Sequence, residues 1–147
     1  MLIEPLIEIF ERDLNKLINE LNLYKDENNL WVIRPGVSNS SGNLALHLIG
    51  NLNHFIGATL GHTGYVRYRD DEFTLKNIPR ADIIINIQNC ILVVKNTLSH
   101  LPADELEKNF PIEVFGKVTT TIFMLIHLTT HLSYHLGQIN YHRRLID

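Results

Sequence analysis

Apolar residues recur every three or four positions through residues 2–22. Ile3, Ile7, Phe10, Leu14, Leu17 and Leu21 share one stripe, and Arg12, Asp13, Lys16 and Glu20 lie off it. That spacing predicts an amphipathic helix. A second such stripe, Ile83, Ile87, Cys90, Val94 and Leu98, predicts a helix over 79–101, with Pro79 suited to its first turn. Two other segments are patterned differently. Between Pro35 and Val66, and again from Val118 to His142, there is no Asp, Glu, Lys or Arg. They predict helices over about 42–61 and 118–145. A helix without charge on any side belongs inside a fold.

The connections are polar and long. Residues 24–41 hold Trp31, Pro35 and Gly36 and end in Ser38-Asn-Ser-Ser41, good material for a helix N-cap. Residues 65–78 form a charged crossover, and 102–116 form another connection with a helical turn at 103–108. No hairpin pattern, internal repeat or low-complexity tract interrupts the series. The fold expected is all-α: a four-helix bundle with long connections, whose loop lengths leave the up–down order open.

With 147 residues the chain is expected to form one domain over 1–147. Its hydrophobic share of 45% and charged share of 20% are those of a globular protein. A net charge of −3 leaves no basic footprint for nucleic acid. The polar Asn43, His47, Asn51, Asn53, His54 and His62 make the 42–61 helix too polar for a membrane span. The N-terminus lacks the positive region of a secretory signal. A single cysteine, Cys90, excludes an internal disulfide and any Cys-x-x-Cys motif, and its apolar setting marks it as a core residue. A reducing cytoplasm is the expected compartment.

Seven of the eight histidines lie on the two uncharged segments; only His100 lies outside. His127, His131, His135, Gln138 and His142 fall within a sector of roughly 80° on one helix. His47, Asn51 and His54 share a face of the other. Buried polar stripes satisfy each other most economically by meeting, because each unpaired group costs about 1–3 kcal/mol. Three readings fit the imidazole stripe. The histidines can be neutral, hydrogen-bonded core residues. They can ligate a transition metal, for which a pair at i and i+4 is suited. Haem ligation would use two of them and leave the others without a role. His127/His131 and His131/His135 are overlapping pairs, so His131 serves in either. A third ligand has to come from another helix.

What the stripes lack narrows the chemistry. Neither uncharged helix has the carboxylates of a di-iron bundle. Leu132 follows His131 where a zinc protease has its glutamate base. Histidines alone would leave a divalent ion its full charge, able to depress the pKa of a thiol or a water.

Leu44-Ala-Leu-His47 and His131-x-x-x-His135-Leu-Gly137-Gln138-Ile139 resemble the DinB-like (DinB/YfiT-like) superfamily. So do the segment Leu48-Ile-Gly50-Asn51-Leu-Asn-His54-Phe55 and the crossover Arg67-Tyr-Arg-Asp-Asp-Glu72-Phe73. The resemblance covers the whole chain in helix order and length. It implies a four-helix bundle in which His47, His131 and His135 hold a divalent transition metal such as Zn or Ni, with His54 and His127 as alternative ligands or neighbours. Characterised members include bacillithiol transferases and a mycothiol-dependent isomerase. The implied function is metal-dependent transfer of a low-molecular-weight thiol to an electrophilic small molecule, with the metal holding the thiolate. The alternative is a non-catalytic bundle that binds a metal or a small ligand.

The uncharged helices also predict a homodimer. One stripe of each can meet across the core, and their other sides would expose Leu, Ile, Phe and Tyr. Long connections folded over these faces would serve instead.

Overall fold

A computed structural model describes residues 2–147. The fold is all-helical, with no strand among the described residues and one isolated antiparallel bridge between Asn109 and Thr120. Five α-helices form: α1 (Ile3–Leu23), α2 (Ser41–Leu52), α3 (Arg69–Thr74), α4 (Arg80–His100) and α5 (Thr121–Ile146). Short 3-10 turns cover Glu27–Trp31 and Ala103–Glu107. None of the helices is long and apolar enough to cross a membrane.

The amphipathic helices bury the stripes their spacing predicts. Helix α1 turns Ile3, Leu6, Phe10, Leu14, Leu17 and Leu21 inward, with Leu6 replacing the expected Ile7. Helix α4 buries Ile83, Ile87, Cys90, Val94 and Leu98 as expected. Pro79 stands one residue outside α4, at its N-cap.

The uncharged segments behave unequally. Helix α2 starts where Ser40 accepts a hydrogen bond from Asn43 N, and nearly every residue in it is buried. It continues into a π-helical stretch, Asn53–Ala58, at which the predicted 42–61 helix changes geometry. A Cβ at Gly57 would press on Val93, and one at Gly61 on Thr97, so the glycines let this end approach α4 closely. Helix α5 is only half covered. It buries Met124, Leu125, Leu128, Leu132 and Ile139 but exposes Phe123, Ile126, Tyr134, Tyr141 and Leu145. The expectation of full burial thus fails for α5.

The connections explain the difference. The crossover over 65–78 contains α3, which the sequence pattern did not resolve. Asn43 Nδ2 donates to the carbonyls of Glu72 and Leu75, fastening α3 against α2. Trp31, in the first 3-10 turn, lies over Gly42. These segments cover α2, whereas on α5 Phe115 of the 102–116 connection meets Phe123 and His127 and much of the outer side stays exposed. Helix α1 packs on α4 and α5, and α2 packs on α4 and α5 from within. His47 and His131 meet where α2 faces α5.

Candidate metal centre

His47 on α2 and His131 and His135 on α5 converge, with one ligand atom from each lying within 4.8 Å of the others. His47 Nε2 is 3.1 Å from His131 Nε2, and His135 Nε2 is 3.2 Å from the same atom. A tetrahedral ion with M–N bonds near 2.05 Å holds its nitrogens about 3.3 Å apart. Two of the separations match that spacing, and the third pair, within 4.8 Å, is in reach of the same ion.

The protons on the far sides of two rings decide where their lone pairs point. His47 Nδ1 is 3.0 Å from Glu72 Oε1, and a carboxylate can only accept, so Nδ1 carries the proton. Arg67 Nη2 is 3.4 Å from that nitrogen, too long to compete. His135 Nδ1 donates to Gln138 Oε1 at 2.7 Å. Both rings thus present Nε2 lone pairs to His131 Nε2. At 3.1 and 3.2 Å these lone pairs need a proton on His131 Nε2 or a metal ion between them. Burial, followed by the neighbouring imidazoles of His135 and His47, lowers the His131 pKa to about 3. Burial likewise lowers that of His135. The charged imidazolium is disfavoured here, and neutral imidazoles are the form a metal takes.

Glu72 is 6% exposed and fixes His47 from behind. Burial pulls its carboxyl upward, but the hydrogen bonds of Arg67 and His47 outweigh it and hold the group below its ordinary value. Arg67 donates through Nε to Oε2 at 2.9 Å and through Nη2 to Oε1 at 2.8 Å. A Cβ at Gly50 would overlap Glu72 Oε2, so only glycine leaves room for this carboxylate beside α2. A carboxylate behind a histidine in this way orients the ring and raises the basicity of its Nε2, as it does for a histidine that binds a metal.

The other histidines have separate places. His127 is half-buried, stacked 6.1 Å from His131 and edge-on to Phe115 at 4.7 Å. His54 packs against Phe55 at 4.7 Å. Neither joins the cluster. His142 donates from Nε2 to Val32 O and pairs through Nδ1 with the buried Tyr24 hydroxyl, which also meets Ser41. The five-residue stripe therefore divides: two histidines of the cluster, one flanking ring, the partner of His135 in Gln138, and one histidine tied to Tyr24 and Val32.

Phe73 packs on His47 at 4.9 Å, and Tyr134 on His135 at 5.4 Å. Gln138 also lines a mostly apolar cavity of about 310 Å³, with Leu44, Tyr141, Leu145 and Arg34. Cys90 is buried elsewhere, and burial pushes its thiol up to about 12, so it is no nucleophile.

The sequence pattern missed Glu72 and Arg67 as partners of the site. They sit in a run of solvent-facing charges, Asp70 and Asp71 among them, and no periodicity distinguishes the one inward acid. Gly50, a glycine inside a helix one turn from His47, was the available signal.

The sequence profile of a family described as "Protein of unknown function (DUF1572)" matches residues 3–147. No curated protein matches the chain.

Proposed function

The chain belongs to the DUF1572 family, and from the histidine cluster within it we propose a metal-dependent enzyme of the DinB-like kind, built as a four-helix bundle. One observation carries this reading: three imidazole Nε2 atoms converge, and two of the rings are held from behind with their Nε2 lone pairs turned inward. His47, His131 and His135 would hold the ion, with Zn or Ni as the identity that suits an all-imidazole set.

Three protein ligands leave a usual position for an exogenous one. The ion would supply positive charge that makes a thiol acidic at neutral pH. The proposed reaction adds a low-molecular-weight thiol to an electrophilic small molecule. A sulfur–carbon bond forms, the displaced group or the opened double bond takes the electron pair, and the thiol proton leaves with it or to water. Glu72 and Gln138 keep the Nδ1 protons of His47 and His135 in place throughout. Arg67 balances the Glu72 charge, so the cluster itself adds none. Phe73 and Phe115 supply apolar walls, and His127 is the nearest further imidazole able to carry a proton.

We propose that the protein works as a homodimer through α5. The face formed by Phe123, Ile126, Tyr134, Tyr141 and Leu145 is exposed and largely apolar, with the Arg144 guanidinium over the Tyr141 ring at its end. Gly137 on the same side has nothing within 4 Å to require it, which suits close approach of another helix.

The functional test is a screen of thiol cosubstrates against monochlorobimane with metal-loaded and metal-stripped protein. Transfer that needs the metal supports the reading. Full activity without metal rejects it.

A further inference from the structure

Among the described residues, three buried side-chain atoms have no hydrogen-bond partner: Asn51 Oδ1, His131 Nδ1 and Thr119 Oγ1. Two of them stand on the facing stripes that carry the metal centre. They are also complementary. His131 turns Nε2 toward His47 and His135, so its Nδ1 is the nitrogen left to bear the proton of a neutral ligand. Asn51 Oδ1 is an acceptor, and the residue is only 7% exposed.

Their heights on the two helices agree. Leu44 shares a cavity with His142 and Leu145, near the end of α5. His47 meets His131 and His135. Helix α2 therefore runs toward the start of α5. One turn beyond His47, about 6 Å along the axis, Asn51 reaches the level of His131 and His127. Thr119 precedes α5 and has no such counterpart.

We infer that Asn51 is the positioning residue for His131: its amide oxygen accepts the His131 Nδ1 proton, by a side-chain rotation or through one buried water. This inference rests on the metal-site reading and completes it. His47 is held by Glu72 and His135 by Gln138, and His131, central to both short contacts, otherwise has nothing to fix its tautomer. Ligands of this type generally have such a partner, and its loss typically weakens metal binding by about 10–100-fold.

The test reads tautomers first. Long-range proton–nitrogen spectra of the 15N-labelled, zinc-loaded protein at neutral pH should show His131 protonated on Nδ1, with that proton slow to exchange. Asn51→Leu keeps the volume and removes the acceptor, so the proton should lose its protection. Asn51→Asp should retain it. A His131 protonated on Nε2 in the wild type overturns the inference, as does an Nδ1 proton indifferent to Asn51→Leu. Zinc titration against a competing chelator gives a second reading. Asn51→Leu should bind about 10–100-fold more weakly, and Asn51→Asp should recover most of the loss. Equal affinities overturn the inference. If wild-type protein binds no zinc, the metal-site reading falls; zinc bound with an Nδ1 proton indifferent to Asn51→Leu overturns the Asn51 pairing alone.

Discussion

His47 Nδ1 lies 3.0 Å from Glu72 Oε1, and the same carboxylate receives two hydrogen bonds from Arg67. A ring on α2 is thus oriented by an acid on α3, twenty-five positions along the chain. Removing that acid leaves a mostly buried guanidinium without its partner. Glu72→Ala should destabilise the protein by about 3 kcal/mol in chemical unfolding and weaken metal binding by about 10–100-fold. Glu72→Gln keeps an acceptor for Nδ1 and should fall between. Wild-type affinity in Glu72→Ala would show that the acid has no part in the site.

Gly50→Ala offers an independent approach to the same contact. In an exposed helix this change stabilises by up to about 1 kcal/mol. Here the new methyl would displace a carboxylate tied on both sides by Arg67 and His47. Metal affinity should drop toward that of Glu72→Ala, with a net loss of about 1–3 kcal/mol in stability. A more stable variant with unchanged affinity would contradict the packing described.

The long elements were legible from the chain because burial sets their periodicity. The stripes from Ile3 to Leu21 and from Ile83 to Leu98 followed from spacing alone. That His131 pairs with a histidine one turn away was legible for the same reason, since helix geometry is local, but the choice of His135 over His127 came from resemblance. His47 came from resemblance, because nothing local links residues 47 and 131. Helix α3 was hidden because its six residues are too few for a period and are held by tertiary hydrogen bonds from Asn43. Full burial of α5 does not follow from its pattern, because absence of charge does not distinguish a core helix from one with the apolar surface that the dimer expectation requires.

Acid should act on the metal-free protein through His131. Its pKa is about 3 in the folded chain against an ordinary 6.5, so the unfolded chain binds more protons between these values. Stability then rises with pH across that window and is lost as pH falls through it. Urea midpoints measured from pH 4 to pH 7 should climb less steeply in His131→Gln than in the wild type. Parallel profiles would mean that His131 is not held neutral by its surroundings.

The α5 face predicts association. Sedimentation at micromolar concentration should find twice the 17.0 kDa chain mass, and Ile126→Lys with Tyr141→Glu should return the monomer without loss of helicity. A single 17.0 kDa species in the wild type would defeat the dimer.

The central claim is that three imidazoles form one metal site, and metal content per chain tests it most directly. Protein loaded with Zn or Ni and then dialysed should retain one ion per chain. His131→Ala should retain none, His47→Ala and His135→Ala should bind far more weakly, and His127→Ala should keep the full ion. A wild type without stoichiometric metal, or a His131→Ala protein that holds it as well, would contradict the account.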